Sequence, residues 1–358
     1  MNKMKQFFSR QWVRLAAMAL LSVAITAVVA VSGKMSTGRE RSGLYYEATG
    51  LAPDGVLMEV NGEPITVEEY LYWVANDCGY LINYYGIEDL NTRLTDEMTY
   101  ADYIRSDVLI TEKLYGATRA WAKSLGITLT DTQRSELAEQ RQAYIDYYGS
   151  EEAYLQQLEL LGISEECFDR INETPYLYTS LIEACCDPAS PLYPGESTLQ
   201  AFAKDNQLMT VRVAYLTAEA DWGEEELAES EEAMAAYAEK LRSASDKEAV
   251  LAEMADTLGV GLETLTFAPA EGDEISDSAA ALSVGQSSDV INDGVDFLIV
   301  WRQEVDLTQT AGEYANRLIE EKRDSASVIF NSELYDAIDI AAFYPALVEL
   351  QSELSELG

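Results

Sequence analysis

Residues 56–205 repeat one pattern that restricts the fold more than any other feature of the chain. Apolar positions recur three or four residues apart, in runs that begin near a capping side chain and end at glycine. The clearest run ends at Gly126 and has spacings of 4, 3, 4 and 4, through Ile110, Leu114, Ala117, Trp121 and Leu125. Such spacing places apolar side chains on one face of an α-helix. Thr66 and Thr130 open capping boxes before further helices. The pattern predicts an all-helical module.

The composition changes after residue 205. Thr210–Thr217 and Asp296–Trp301 are rich in β-branched and aromatic residues, which favour strands. Between them, residues 224–243 and 247–258 are acidic and alanine-rich, which favours helix. Residues 206–306 are therefore predicted to form a compact α+β domain. The chain as a whole is predicted to be α+β and mostly helical.

Residues 307–340 return to a helical pattern, with Tyr314, Leu318 and Ile319 on one side. Because the α+β domain has its own core, we expect this apolar stripe to pack on the helical module at 56–205. The α+β domain would then be inserted between two parts of that module. Residues 341–358 are expected to be a C-terminal tail.

The N-terminal segment, residues 1–33, combines four basic residues with an uncharged stretch of 19 residues, Leu15–Gly33. A bilayer-spanning helix needs about 20 apolar residues, and a basic flank stays on the cytoplasmic side. The segment is predicted to be an uncleaved membrane anchor, or else a signal peptide cleaved after Ala30 or Ser32. Either interpretation exports the rest of the chain behind a linker at 34–55. The body is then anchored to the cell membrane, or secreted if the signal is cleaved.

The exported body is strongly acidic and lacks histidine. The chain has 24 Lys and Arg residues against 63 Asp and Glu, for a formal net charge of −39, and seven of the basic residues precede residue 42. Nucleic-acid binding needs a basic surface, so the charge argues against that class of partner. The absence of histidine excludes Ser-His-Asp and Cys-His hydrolysis, His-ligated zinc and imidazole acid–base catalysis.

The cysteines and acidic residues form no recognisable metal or redox motif. No Cys-x-x-Cys pair occurs among Cys78, Cys167, Cys185 and Cys186, and no Asp-x-Asp-x-Asp-Gly calcium loop is present. Buried thiols are the favoured interpretation, while disulfides stay open because the body is predicted to be exported. No metal and no cofactor are expected.

Several strings in the helical module resemble the SurA/PrsA-type extracytoplasmic foldases. In chain order behind the export segment they are Val60–Thr66, Ala122–Ile127, Tyr148–Leu155 and Leu161–Phe168. In that family a helical chaperone module encloses a parvulin (PpiC-type) peptidyl-prolyl isomerase domain. The resemblance covers about 56–340 and implies a chaperone that binds unfolded or nascent secreted polypeptides.

The α+β domain resembles a parvulin that has lost its catalytic site. Leu282–Ser288 is similar to the family's Leu-x-x-Gly-Glu-x-Ser turn. By this resemblance, the two histidines of the family fall on Tyr215 and Leu298, and the Met and Phe of its proline pocket fall on Glu271 and Ile275. A leucine side chain cannot hydrogen-bond, and a glutamate would place a charge in the pocket. The resemblance therefore implies a parvulin fold without catalytic residues, whose degenerate pocket is marked by these four positions.

Tyrosines crowd the first helix of the module. Of 22 in the chain, five lie on or near the helix that follows Thr66: Tyr70, Tyr72, Tyr80, Tyr84 and Tyr85. Tyrosine buries apolar area while keeping a polar tip. The group is therefore either a surface that binds client polypeptides or the contact between this helix and its neighbours.

The favoured hypothesis is a membrane-tethered chaperone without isomerase activity. An active prolyl isomerase with an atypical site, and a partner dedicated to the assembly of one envelope protein, are the alternatives. Capture of many clients would favour a general chaperone over a dedicated partner. The shape of the site around Tyr215 and Leu298 distinguishes the chaperone hypothesis from the enzyme hypothesis. An open apolar pocket there would allow proline binding, and a filled one would prevent it.

Overall fold

A computed structural model describes residues 35–218, 222–270 and 272–357. In chain order the helices are α1 (Leu44–Thr49), α2 (Val67–Tyr85), α3 (Tyr100–Leu125), α4 (Asp131–Tyr148), α5 (Glu151–Leu161), α6 (Glu165–Cys186), α7 (Glu196–Asp205), α8 (Glu224–Ser243), α9 (Lys247–Leu258), α10 (Glu274–Ala281), α11 (Leu307–Asp324), α12 (Ser332–Tyr335) and α13 (Ile340–Leu357). The strands are β1 (Val56–Val60), β2 (Glu63–Thr66), β3 (Met209–Thr217), β4 (Gly261–Phe267), β5 (Ile291–Asn292), β6 (Asp296–Gln303) and β7 (Val328–Phe330). The predicted fold class, α+β and mostly helical, is confirmed.

The chain divides into two compact units. Unit 1 contains the residues up to Tyr178 and those from Ile319 onward, and unit 2 contains Thr179–Leu318. Unit 2 thus begins earlier and ends later than the predicted α+β domain at 206–306.

Unit 1 packs helices around a three-stranded antiparallel sheet with the order β2-β1-β7. Asn61 and Gly62, both with positive φ, make the tight turn between β1 and β2. β7 pairs with β1 across more than 250 residues of chain, with Met58 opposite Phe330. The buried side chains around this sheet come mainly from α2, α3 and α13, and include Tyr70, Leu71, Val74, Ile104, Val108, Phe343 and Leu347.

Capping chemistry sets the ends of the helices in unit 1. Thr99 and Thr130 make reciprocal capping boxes with Asp102 and Gln133. Gly162, which ends α5, has a φ of 77° and leaves no room for a side chain. A Cβ at this position would lie 2.5 Å from the ring of Tyr45.

The predicted linker at 34–55 is packed along its described part. It contains α1, in which Leu44 and Tyr45 are buried, and the Tyr45 ring meets Phe343 of α13 edge to face at 5.6 Å. The sequence pattern did not indicate this because α1 is only six residues long and part of its packing partner lies almost 300 residues away.

The C-terminal part also differs from the expected helix and tail. The helix predicted over 307–340 ends at Asp324, because the β-branched and aromatic residues Val328–Phe330 pair with β1 instead. The predicted tail at 341–358 is occupied by α13, whose Phe343 and Leu347 are buried. Its buried partners belong to the N-terminal half of the chain, so local periodicity alone does not reveal its packing.

Unit 2 contains a four-stranded antiparallel sheet with the order β4-β3-β6-β5. Alternate residues of its strands enter two separate apolar clusters. Ala214 and Ile299 pack with Met234 and Leu251, which belong to α8 and α9. The opposite face carries Val211, Val213, Leu298 and Val300, which pack with Ala279 of α10. The sheet is therefore covered on both faces.

None of the helices in the described ranges is both long enough and apolar enough to cross a membrane. The predicted anchor or signal segment, residues 1–33, lies outside these ranges.

Candidate functional site

The two positions that the parvulin resemblance assigns to histidines are brought together by the sheet. Tyr215 on β3 is the direct antiparallel partner of Leu298 on β6. Cross-strand partners project from the same face of a sheet, with Cβ atoms about 5 Å apart. The sequence numbers alone do not establish this pairing, which depends on the register of β3 against β6.

The space beside Leu298 is filled by aliphatic side chains. Leu298 is 5% exposed and belongs to the same apolar cluster as Val213, Val300 and Ala279. Ile275, the predicted pocket position on α10, is half-buried and packs against that cluster. Leu298 and Ile275 therefore contribute to a packed core. Glu271, the fourth predicted position, lies outside the described residues.

Tyr215 has a different environment. Its side chain is 37% exposed, and its ring lies against Gly261, where a Cβ would stand 2.1 Å from Cζ. The ring lines an open groove of about 750 Å³ together with Trp222 and Leu258. Neither Leu298 nor Ile275 lines this groove. Tyr215 and Leu298 are thus neighbours in the ladder without sharing one cavity.

A second groove lies along α6 in unit 1, and we call it the α4–α6 groove. It consists of two adjoining cavities of about 220 and 380 Å³, which share Leu129, Arg134 and Glu173. Apolar side chains line much of it: Ala122, Ile127, Leu129, Leu137, Ala138, Tyr144, Tyr154, Phe168 and Leu177. Sequence analysis did not identify this groove, because its residues come from separate helices with no shared motif.

The groove exists because α4 is poorly covered. Gln133 is its one buried residue, and Leu137 and Tyr144 remain half-buried. α4 packs on α5, where the Tyr144 ring stacks on Tyr154 at 6.3 Å with an interplanar angle of 8°. Tyr144 also meets Phe168 of α6 at 6.4 Å. These aromatic contacts hold α4 at one end and leave apolar side chains between α4 and α6 accessible.

Charges of both signs border the apolar lining. Arg141 donates to Glu151 and Glu165, each at 2.7 Å. Burial raises the pKa of Glu173, and repulsion by Asp169 raises it further. The arrangement presents an apolar strip with a charged border, which suits segments of mixed composition rather than one small ligand.

A buried charge network joins the helices beneath the groove. Glu69 of α2 is fully buried and accepts a hydrogen bond from Arg119 of α3 at 2.7 Å. Its second oxygen lies 2.9 Å from Arg170 of α6. Because Arg119 also lines the groove, this network links the wall of the groove to the buried core of unit 1. Sequence analysis did not reveal this network, because Glu69 lies in the first helical turn after the capping residue Thr66, where exposed acids are common.

Glu112 lies within the same network but has no hydrogen bond to either carboxylate oxygen. Burial raises the pKa of this fully buried group well above its ordinary value, and repulsion by Glu69 adds to the effect. Arg119 and Arg170 oppose the shift. Burial therefore shifts the balance of Glu112 toward its neutral acid in the folded protein.

The five tyrosines of α2 separate into two groups. Tyr70 is fully buried, and Tyr72 packs against Trp73, so these two belong to the helix-packing interpretation. Tyr80 and Tyr84 are 42% and 79% exposed at the C-terminal end of the helix, beside Tyr85. This second group is available to a partner.

The described residues contain no group of three or more Cys, Asp or Glu side chains arranged to hold a metal ion. All four cysteines are free thiols, and Cys78, Cys167 and Cys185 are buried. Burial raises the pKa of the Cys78 thiol to about 12, which makes it a poor nucleophile.

Comparison with known proteins gives matches among solved structures alone. No protein-family model and no curated protein matches the chain. The foldase PrsA of Lactococcus lactis is similar with 14% identity, covering 83% of this chain and 93% of that chain, with a TM-score of 0.27. PrsA of Bacillus subtilis is similar with 15% identity, covering 74% and 92%, with a TM-score of 0.27. A SurA-like chaperone of Campylobacter jejuni is similar with 13% identity, covering 77% and 98%, with a TM-score of 0.22. These structures are SurA/PrsA-type foldases, and at these TM-scores the similarity carries no functional inference.

Proposed function

We propose that the protein is an exported chaperone of the SurA/PrsA type. It binds segments of unfolded or newly secreted polypeptides in the α4–α6 groove, and its parvulin-like domain is inserted in the helical chaperone module and lacks isomerase activity. The observation that carries the proposal is the accessible apolar strip between α4 and α6, bordered by charge. Unfolded chains expose apolar side chains, which gain about 25 cal/mol per Å² when such a strip covers them.

The acidic surface supports the second requirement of a chaperone, which is to keep the complex in solution. A net charge of −39 for the whole chain, with seven of its 24 basic residues before residue 42, gives the body strong self-repulsion, so complexes with apolar clients resist association with one another. The groove needs no cofactor for this activity, because binding depends on burial and on polar contacts at the border.

The packing around Leu298 supports the absence of catalysis. Rotation about a prolyl bond has a barrier of about 20 kcal/mol, and an enzyme lowers it by seating the proline ring beside placed hydrogen-bonding groups. Leu298 and Ile275 pack with other apolar side chains, which leaves no described opening for a proline ring beside them. Tyr215 is the one hydrogen-bonding side chain among the three described positions, and it lines a different groove.

Membrane tethering belongs to the same proposal. It rests on the uncharged stretch Leu15–Gly33 behind four basic residues, which fits either an anchor or a signal. Protease added to intact spheroplasts should digest the body of the protein from residue 42 onward. Full protection of that region would contradict export.

Client binding is tested by a charge placed in the groove. Leu137→Glu puts a carboxylate on the half-buried lining of α4, whereas Leu155→Glu changes a 42% exposed leucine of α5 that does not line the groove. Suppression of aggregation of reduced insulin, followed by light scattering, measures client binding. We expect Leu137→Glu to require about ten times more protein for half-suppression, which corresponds to losing one buried leucine contact.

The control separates groove binding from general effects. Leu155→Glu should behave like the wild type, and urea denaturation should show that both variants fold. Equal loss in the two variants, or no loss in either, would mean that the α4–α6 groove is not the client site.

A further inference from the structure

One end of the sheet in unit 2 carries a groove that contains both cationic and apolar side chains. Thr210 of β3 pairs with Gln303 of β6, so the start of one strand and the end of the other lie together there. α7 leads into the same end of the sheet through Gln207, whose φ is 53°. The groove has a volume of about 600 Å³. We call it the cationic groove and define it by these lining residues: Lys204, Leu208, Met209, Arg302 and Leu307.

The cationic groove is separate from the positions that the parvulin resemblance assigns to the proline pocket. Arg302 follows Leu298 by four residues on β6, which is about 13 Å along an extended strand. None of the described pocket positions, which are Tyr215, Ile275 and Leu298, lines the cationic groove. A ligand in this groove would therefore lie away from the degenerate proline pocket.

Cations outnumber acids along the groove, although acids far outnumber cations in the chain. The charged lining residues are Lys204, Arg302 and Glu304, whereas the whole chain has 24 Lys and Arg against 63 Asp and Glu. Lys204 is exposed on α7, and its ammonium group makes no ion pair or hydrogen bond with another described residue. Its charge is therefore available to a ligand.

The guanidinium group of Arg302 is only partly satisfied by the protein. Its Nη1 donates to the carbonyl of Ala279, near the C-terminal end of α10, at 2.9 Å. Its Nε is buried and has no hydrogen-bond partner. Burial lowers the pKa of Arg302, and no carboxylate of the described residues forms an ion pair with it. A half-buried cation without a carboxylate partner gains from a bound anion, because each charge then compensates for the water that the other loses.

Apolar side chains lie beside these two cations. Leu208 and Met209 are buried, and Leu307, at the start of α11, is half-buried. An aliphatic group that covers the exposed part of this lining removes apolar surface from water, which a small anion would not do. The groove therefore suits a ligand that combines a carboxylate with an aliphatic group.

We propose that the cationic groove binds an extended polypeptide segment in which an aliphatic side chain lies next to aspartate or glutamate. The carboxylate of the segment pairs with Arg302 and Lys204, and the aliphatic side chain packs on the apolar lining. Acids elsewhere on the protein oppose this binding little, because charges are screened beyond about 8 Å at physiological ionic strength. An anionic membrane or a nucleic acid would be held against the whole acidic surface and is repelled. This site is independent of the α4–α6 groove, and its preference for acidic segments goes beyond the apolar binding proposed there.

Peptide binding to the full chain tests the proposal. The probe is a short peptide with a central Leu-Glu-Leu-Glu segment and a tetramethylrhodamine label, and its binding is followed by fluorescence anisotropy. Two counterparts separate its features. A Leu-Gln-Leu-Gln peptide keeps the shape and removes the charge, and a Ser-Glu-Ser-Glu peptide keeps the charge and removes the aliphatic side chains. We expect the Leu-Glu peptide to bind most tightly of the three.

Variants of the two cations locate the peptide. Lys204→Gln should weaken binding of the Leu-Glu peptide about two- to five-fold, the size of one exposed ion pair. Lys240→Gln is the matched control, because it makes the same change in net charge on α8, outside the groove, where Lys240 pairs with Glu253. Arg302→Gln should weaken binding about ten-fold or more, since a charged hydrogen bond to a half-buried group is stronger.

The Leu-Gln peptide gives the sharpest contrast, because the net charge of the protein favours a neutral peptide over an acidic one. Equal or tighter binding of the Leu-Gln peptide would overturn the proposal, and so would equal binding of the Ser-Glu peptide. Wild-type affinity in Lys204→Gln, or equal weakening by Lys204→Gln and Lys240→Gln, would overturn it too. Urea denaturation shows whether Arg302→Gln folds, and the exposed Lys204 decides the outcome if it does not.

Failure of this proposal is distinguishable from failure of the proposed chaperone function. Leu137→Glu should leave binding of the Leu-Glu peptide unchanged while it lowers aggregation suppression. If Leu137→Glu abolishes binding of the Leu-Glu peptide, the peptide occupies the α4–α6 groove and the cationic groove is not its site.

Discussion

Tyr215 and Leu298 are direct partners on adjacent antiparallel strands, but their side chains enter different surroundings. Leu298 is buried in an aliphatic cluster, and the Tyr215 ring lies over Gly261 at the border of an open groove. The two residues are therefore paired along the backbone, but their side chains do not line one cavity among the described residues.

Introducing histidines at Tyr215 and Leu298 should not create an isomerase. Leu298→His places an imidazole among aliphatic side chains, where an unpaired polar group costs about 1–3 kcal/mol. We expect a Tyr215→His/Leu298→His variant to be less stable than the wild type and to isomerise prolyl peptides at the uncatalysed rate. Urea denaturation and a protease-coupled peptide assay measure the two quantities.

The single variants separate the two effects. Tyr215→His changes a partly exposed side chain, so it should lower the free energy of unfolding less than Leu298→His does. Catalysis in the double variant would show that the apolar cluster around Leu298 opens to admit proline, contrary to its packing in the structure.

The packing of α1 through Tyr45 should contribute to the stability of unit 1. Gly162 and Gly149 both end helices with positive φ, but a Cβ at Gly162 would collide with Tyr45 whereas at Gly149 it would meet open space. Gly149→Ala should lower the free energy of unfolding by about 1 kcal/mol, because alanine is strained at the positive φ of this position. Gly162→Ala should cost about 1–3 kcal/mol more, since the ring must move.

Urea denaturation of the two glycine variants provides the measurement. Equal losses of stability would show that the contact between Gly162 and Tyr45 is absent in solution.

The buried ion pair of Arg119 and Glu69 should contribute far more to the free energy of unfolding than an exposed ion pair of the same unit. Arg119→Ala leaves Glu69 buried with one cation fewer, and breaking such a pair costs about 3–5 kcal/mol. Arg134→Ala removes the exposed pair with Asp131 and should cost about 0–1 kcal/mol. Similar denaturation midpoints for the two variants would contradict the assignment of a structural role to the network.

Stability should depend on pH through Glu112. Because burial raises its pKa in the folded state, the folded protein holds this proton more tightly than the unfolded chain does. The favourable contribution is present below the unfolded pKa, about 4.5, and is lost as pH rises through the folded pKa. Glu112→Gln keeps the shape of the neutral acid, so it should remove this loss and be more stable than the wild type at high pH.

Urea midpoints at several pH values between about pH 4 and pH 9 test the Glu112 prediction. The two proteins should have similar stability at the acidic end and diverge as pH rises. Parallel curves, or a variant that is less stable throughout, would show that Glu112 is charged or paired in the folded protein.

Local sequence signals predicted most helices and strands, because capping residues and glycines act within a few residues of their position. Thr130 and Gly149 delimit α4, and β3 and β6 coincide closely with the predicted strands. The segments that were mispredicted depend on distant partners. Val328–Phe330 becomes a strand by pairing with β1, and Tyr45 is buried by Phe343.

The candidate site was less accessible to sequence reasoning. Sequence analysis assigned Tyr215 and Leu298 to strands, but their pairing and the packing around Leu298 depend on the register of β3 against β6 and on α10, which the sequence does not reveal. The α4–α6 groove and the burial of Glu112 arise from how helices meet, and neither leaves a motif in the sequence. The exposure of Tyr84 likewise could not be separated from the burial of Tyr70 by helical spacing alone.

The proposed function combines binding of unfolded clients with the absence of prolyl isomerase activity. The most direct test is the cis-to-trans rate of an Ala-Pro peptide, measured as the protein concentration is raised in a preparation that suppresses aggregation of reduced insulin. The rate should stay at the uncatalysed value, with a time of tens to hundreds of seconds at about 25 °C, at every protein concentration. A rate that rises in proportion to protein concentration would contradict the account and identify the protein as an isomerase with an atypical site.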